Sequence, residues 1–240
     1  MKIIITKDYE ELSVKAAEVM LGVVKQNPRA VLGLATGTTP LGLYSRIIAD
    51  HKENGTDYSK IRTVNLDEYK GLPKTHEQSY AYFMKKNLFD GLGITPEQTN
   101  IEDGTAKDEK AECLQYDALL EELPRDIQLL GLGSNGHIAF NEPGTSFGSG
   151  THVVTLAEST IKDNARLFED IFEVPQKAYT MGIKQIMQAK KILILASGAN
   201  KAEAVYKTVK GEVTEQVPAS VLQLHPNCIL IADRAAAQKL

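Results

Sequence analysis

The chain has 240 residues, 42% of them hydrophobic, enough for one sizeable domain with a core of its own. Its net charge of −4 argues against a general nucleic-acid surface, yet leaves room for an anionic small molecule held by a few local cations. The two cysteines, Cys113 and Cys228, stand far apart and outside any C-x-x-C pair, so neither a disulfide framework nor a zinc site is expected.

The N-terminus, MKIIITKDYEEL, turns acidic within a few residues and lacks the long apolar core of a signal peptide. No apolar run approaches the ~18–20 residues that cross a membrane, so a soluble cytoplasmic protein without membrane contact is expected. Lys2–Thr6 (KIIIT) reads as a strand and Asp8–Gln26 as an amphipathic helix. A strand at Ala30–Ala35 (AVLGLA) runs into TGTTP and a helix over Pro40–Glu53. A strand at Ile61–Leu66 (IRTVNL) runs into DEYKGLP and a helix over Ser79–Asp90. A helix at Asp108–Glu122 precedes a strand at Ile127–Gly131 (IQLLG), which opens into GLGSNGHIAFNEPG, residues 131–144. Strands at Ala178–Gly182 (AYTMG) and Lys191–Ala196 (KILILA) follow, then SGANK with a helix over Asn200–Lys210, and a last strand at Cys228–Ala232 (CILIA).

Strand and helix in alternation predict an α/β fold: a single Rossmann-like domain over 1–240, with an open, mostly parallel sheet and helices on both faces. Strands that are apolar throughout, such as KILILA, suit a sheet covered on both sides. In such sheets ligands sit beyond the carboxyl ends of the strands. Four strand ends here carry Gly, Thr, Ser, Asp, His, Glu or Lys, so the polar chemistry gathers on one rim.

Two familiar motifs overlap in residues 131–148 and both fail on context. Gly131–Gly136 fits G-x-G-x-x-G, but a long Pro- and Gly-rich loop follows where a helix should open. Gly144–Gly148 (GTSFG) fits G-x-S-x-G, but it lacks the strand before and the helix after. The loop is better taken literally: glycines such as Gly133 let a ligand approach closely, and His137 with Glu142 forms a general acid–base and its orienting carboxylate. Asp67, at the end of IRTVNL where Asp is a poor strand residue, faces the same rim and is a candidate carbon-acid base. Thr36, Gly37, Thr38 and Thr39 in TGTTP offer N–H groups and hydroxyls at a helix start, which suits a phosphate. Lys201 in SGANK opposes the dipole of its helix, which makes sense once an anion lies between them.

With these segments in hand, the chain resembles the glucosamine-6-phosphate deaminase family over nearly its whole length. The likeness runs from LATGTTP through VNLDEYKGLP, HEQSY, GLGSNGHIAFNEPG and TLAEST to SGANKAEAV and SVLQLHPN. The resemblance implies conversion of glucosamine 6-phosphate and water to fructose 6-phosphate and ammonia in amino-sugar catabolism, with no organic cofactor and no metal. It implies that Asp67 moves the proton between C2 and C1, and that His137 opens the pyranose ring while Glu142 holds its tautomer. It implies that Arg166, Lys201 and the backbone of Gly37 and Thr38 bind the phosphate.

Two departures from the family pattern matter. Asn135 stands where many members have Asp; an amide cannot take a proton, but it can hydrogen-bond to His137 or the sugar. His152 and Val154 stand where longer, allosterically activated members carry basic residues, and those members extend past Leu240. Hyperbolic saturation and no activation by N-acetylglucosamine 6-phosphate are therefore expected of a monomer or small homo-oligomer. The rivals are a 6-phosphogluconolactonase and the sugar-phosphate-sensing domain of a transcription regulator. NLDEY and HIAFNEP speak against the first, and the lack of a DNA-binding segment against the second.

Overall fold

The computed structural model describes residues 1–156 and 174–240. Its strands are β1 (Lys2–Thr6), β2 (Val31–Leu34), β3 (Arg62–Asn65), β4 (Asp67–Tyr69), β5 (Thr99–Asn100), β6 (Ile127–Gly131), β7 (His152–Thr155), β8 (Lys177–Thr180), β9 (Ile192–Ala196) and β10 (Cys228–Asp233). Seven of them form a parallel sheet in the order β1-β10-β9-β6-β2-β3-β5. Every residue of β2 and β9 is buried, as expected of strands with helices against both faces.

Local chemistry sets the helix limits. The helix Tyr9–Gln26 is capped by Asp8, whose carboxylate accepts the N–H of Glu11. It turns Leu12, Ala16, Met20 and Val23 inward, an i, i+4, i+8, i+11 stripe that packs on the sheet and on the helix Leu41–Asn54. Asp108 caps the helix Glu109–Glu122 in the same way. The expected helix over Ser79–Asp90 is less regular: Tyr80–Met84 is α-helical, Lys85–Phe89 widens to a π turn, and Asp90–Leu92 closes it.

One expectation needs correcting. The stretch AYTMG forms β8, but β8 does not join the parallel sheet. It lies between β4 and β7 in a separate antiparallel sheet, with Asp67 opposite Thr180 and His152 opposite the same residue on the other side. Its apolar residues are buried on their own merits, so its composition imitates a central parallel strand. Neither β7 nor the two-residue β5 has a pattern that marks it as a strand.

The chain runs outward from β2 to β3 and β5 on one side, and from β6 to β9 and β10 on the other. The carboxyl ends of β2 and β6 therefore flank the switch point, where a crevice opens.

Candidate active site

The crevice is a pocket of about 260 Å³. The loop after β2 supplies Thr36, Gly37 and Thr39, the loop after β6 supplies Gly133 and His137, β4 supplies Asp67, and the loop after β9 supplies Lys201. Tyr80 and Phe140, which the sequence did not mark, complete the wall with their rings stacked at 6.2 Å and 9°.

Asp67 is 7% exposed, and no hydrogen bond to its carboxylate is found among the described residues. Burial, with the neighbouring Glu68 carboxylate adding to it, pushes its pKa up to about 8.

His137 sits on a tight loop that its own backbone closes: Gly133 N–H donates to the His137 carbonyl at 2.9 Å, and Gly136 N–H donates to the Gly133 carbonyl at 3.0 Å. A side chain at Gly133 would overlap the imidazole ring, so glycine here lets the ring lie flat on the backbone. Nδ1 of His137 is 3.0 Å from Oε1 of Glu142, at ion-pair distance but with poor hydrogen-bond alignment. The His137 contact, against the opposing effect of burial, holds the Glu142 carboxyl below its ordinary range.

Asn135 joins the two. Its Nδ2 donates to Oε2 of Glu142 at 2.6 Å and its Oδ1 accepts the backbone N–H of His137 at 3.1 Å. A carboxylate in its place would face Glu142 with like charge, so the amide suits a positioning role and needs no proton of its own. Beyond His137, Ala139 adopts a left-handed φ of 52°, a strained backbone in which Asn141 braces the turn by donating to the carbonyls of Ile138 and Met181.

Lys201 ends the 3₁₀ turn Ala199–Lys201 and caps the helix Ala202–Lys210. It has no carboxylate partner among the described residues, and burial lowers its pKa. In the same lining Gly37, with φ of 95°, is exposed. The lining thus combines an ammonium that has no carboxylate partner among the described residues with hydroxyls and backbone of the loop after β2, a chemistry that suits an anion. Thr38 is turned to a neighbouring cleft beside Tyr9 and Ser197, and its carbonyl accepts the Tyr9 hydroxyl at 3.1 Å. Arg166 lies outside the described residues. No group of three or more His, Cys, Asp or Glu side chains with metal-holding geometry occurs among the described residues.

Known proteins resemble this chain along its whole length. The profile of the family described as glucosamine-6-phosphate isomerases/6-phosphogluconolactonase matches residues 7–230. A glucosamine-6-phosphate deaminase of Clostridioides difficile is 49% identical over 241 residues, covering 100% of this chain and 97% of the relative. One from Halalkalibacterium halodurans is 51% identical over 241 residues, covering 100% and 98%. A solved structure of a monomeric glucosamine-6-phosphate deaminase superposes with a TM-score of 0.95 at 48% identity and full coverage of both chains. A 6-phosphogluconolactonase from Trypanosoma brucei shares the fold, with a TM-score of 0.81 at 20% identity.

Proposed function

We infer that this chain, which belongs to the glucosamine-6-phosphate isomerase/6-phosphogluconolactonase family, is an enzyme that converts glucosamine 6-phosphate and water to fructose 6-phosphate and ammonia in amino-sugar catabolism. The observation that carries the reading is one pocket that holds a buried carboxylate, a carboxylate-oriented histidine and an uncommitted lysine. Lysine and the Thr36–Thr39 loop hold the phosphate, remote from the reacting carbons, so its binding energy positions the sugar. His137 moves a proton from O1 to the ring oxygen, and Glu142 stabilises the imidazolium that forms in passing. Asp67 then takes the C2 proton and returns it to C1, while the C2 ammonium gives up one proton and the aldehyde oxygen O1 gains one, so that C1 becomes a hydroxymethyl group and C2 an iminium. The resulting C2 iminium adds water and expels ammonia, leaving the ketose. No step asks for a metal or an organic cofactor. The enzyme works as a monomer or small homo-oligomer in the cytoplasm; no helix among the described residues is long and apolar enough to cross a membrane.

The deciding experiment is a coupled assay on the purified protein. Fructose 6-phosphate and ammonia should form in equal amounts from glucosamine 6-phosphate. Hydrolysis of 6-phosphogluconolactone without ammonia release would replace this reading with the lactonase one.

Two further outcomes follow from the geometry. Asp67 must be ionised to act as a base, and its pKa is raised to about 8 in the empty site, so kcat/KM should fall about tenfold per unit as pH drops below 8. A profile flat from pH 8 to 6 would contradict that. Gly133→Ala should displace the His137 ring and lower kcat/KM about 100-fold, the scale of an ångström's misplacement, with a near-normal melting temperature. Wild-type kinetics in that variant would show that the close approach of ring to backbone is dispensable.

A further inference from the structure

Glu68 is fully buried, carries an ionisable group and does not line the pocket. Strand alternation explains the last point: Asp67 and Tyr69 face one side of β4 and Glu68 the other. Its carboxylate accepts three backbone N–H groups. Oε1 takes those of Tyr69 at 2.8 Å and Tyr80 at 2.9 Å, and Oε2 takes that of Ala81 at 2.9 Å. Two of these belong to the first turn of the helix Tyr80–Met84, which Ser79 already caps through the N–H of Tyr82. A second cap made by a buried carboxylate from another element is more than helix initiation requires, because removing a charge from water is costly.

What the arrangement does achieve is to fix two parts of the pocket against each other. Tyr80 lies against Tyr69 with ring centroids 4.5 Å apart, and its hydroxyl donates to the Tyr69 oxygen at 3.0 Å. We propose that Glu68 is a positioning residue of this site: it ties the strand that carries Asp67 to the turn that carries Tyr80, and it sets a fixed negative charge beside Asp67. The proposal rests on the deaminase reading.

The charge has a use in that reaction. Glucosamine 6-phosphate brings a cationic amine on C2, next to the proton that Asp67 removes. A neighbouring anion that favours the protonated form of Asp67 in the empty site makes the arriving cation the trigger for its ionisation. Other groups around Asp67 do not take over this role. Glu102, also fully buried, has both carboxyl oxygens without partners among the described residues, and burial pushes its pKa well above the usual carboxylate range, against its charged form. Burial raises the pKa of the Tyr80 and Tyr116 phenols well above the usual value, which favours their neutral forms, and His137 and Lys201 line the same pocket. Burial also pushes Glu68 upward, but its three N–H donors favour the ionised form and oppose that push.

Two substitutions separate reach from charge. Glu68→Gln keeps the size and removes the charge; Glu68→Asp keeps the charge and loses the reach. Each is measured by the pH profile of kcat/KM for glucosamine 6-phosphate and by hydrogen exchange of the Tyr80 and Ala81 amides. In Glu68→Gln the acid limb should move down by about one pH unit or more, the scale for one neighbouring charge. In Glu68→Asp the limb should stay, while the plateau of kcat/KM falls about 10-fold or more. Both variants should exchange the two amides faster. A folded Glu68→Gln with the wild-type limb and wild-type amide protection overturns the proposal. If that variant does not fold, Glu68→Asp decides: wild-type plateau and protection overturn it. Lack of deamination by the wild-type protein would sink the functional reading instead, and amide exchange would still report on the tie between β4 and the Tyr80 turn.

Discussion

Asp67→Asn is expected to lower kcat by at least about 100-fold, the low end for loss of a general base, and to raise the melting temperature at alkaline pH. The two effects share one cause. The folded protein raises the Asp67 pKa from 3.8 to about 8, so it favours the neutral carboxyl. That contribution to stability is complete below the unfolded value near 4 and is lost as pH rises through 8. At pH 9 the wild-type protein carries a buried, unpaired carboxylate. Asparagine has the same shape and is neutral at every pH, so it escapes that cost. The variant should therefore match the wild type near pH 4 and exceed it increasingly as pH rises from about 4 to about 8, levelling off above that, by about 2–4 °C for each kcal/mol in a chain of this size. Thermal melts at pH 5 and pH 9 measure the second effect. Exchange of the substrate C2 proton with deuterated solvent measures the first, and wild-type exchange in the variant would remove Asp67 from the chemistry. A residue that stabilises the protein when replaced and abolishes turnover is one kept for function.

Lys201→Ala is expected to reduce kcat/KM for glucosamine 6-phosphate by roughly 10- to 150-fold, equivalent to the about 1.5–3 kcal/mol of a charged hydrogen bond. The half-buried ammonium has no carboxylate to neutralise it among the described residues, and burial already works against its charge. An arriving phosphate supplies the missing partner. Unphosphorylated glucosamine should be a very poor substrate for both proteins and should not distinguish them. The loss should not come from unfolding, because the turn that carries Lys201 is held from elsewhere. Asp233, at the end of β10, accepts the Ser197 hydroxyl and the Gly198 N–H, and Gly198 in turn accepts the N–H of Lys201 at 3.0 Å. Unchanged kcat/KM in Lys201→Ala would move the phosphate elsewhere in the pocket. Arg166, assigned to the phosphate by family resemblance, should show a loss of the same sign.

The sequence by itself determined the alternation of strands and helices and the rim on which the chemistry sits. Parallel strands covered on both faces read as near-continuous apolar runs, so IQLLG, KILILA and CILIA are legible one at a time. Capping is equally local, which is why Asp8 and Asp108 mark helix starts within a residue. Asp67 and Lys201 could be picked out because each is an odd residue for the strand end or helix start that bears it, and His137 and Glu142 because they follow the glycines of a loop on the same rim. The tertiary structure decided what no local pattern carries. Tyr80 and Phe140 enter the pocket through packing of elements far apart in the chain, and an aromatic residue in a short helix or a loop has no periodicity that says so. The antiparallel sheet brings residues 67–69, 152–155 and 177–180 together; AYTMG is legible as a strand, but no local pattern announces that pairing. Glu68 reaches N–H groups 12 and 13 residues on, and Asp233 braces a loop 36 and 35 residues back. Above all, NLDEY shows that a carboxylate is present at position 67 but not whether it carries a proton. That is settled by the water removed around it and the charge placed beside it, and both depend on which distant segments fold over it.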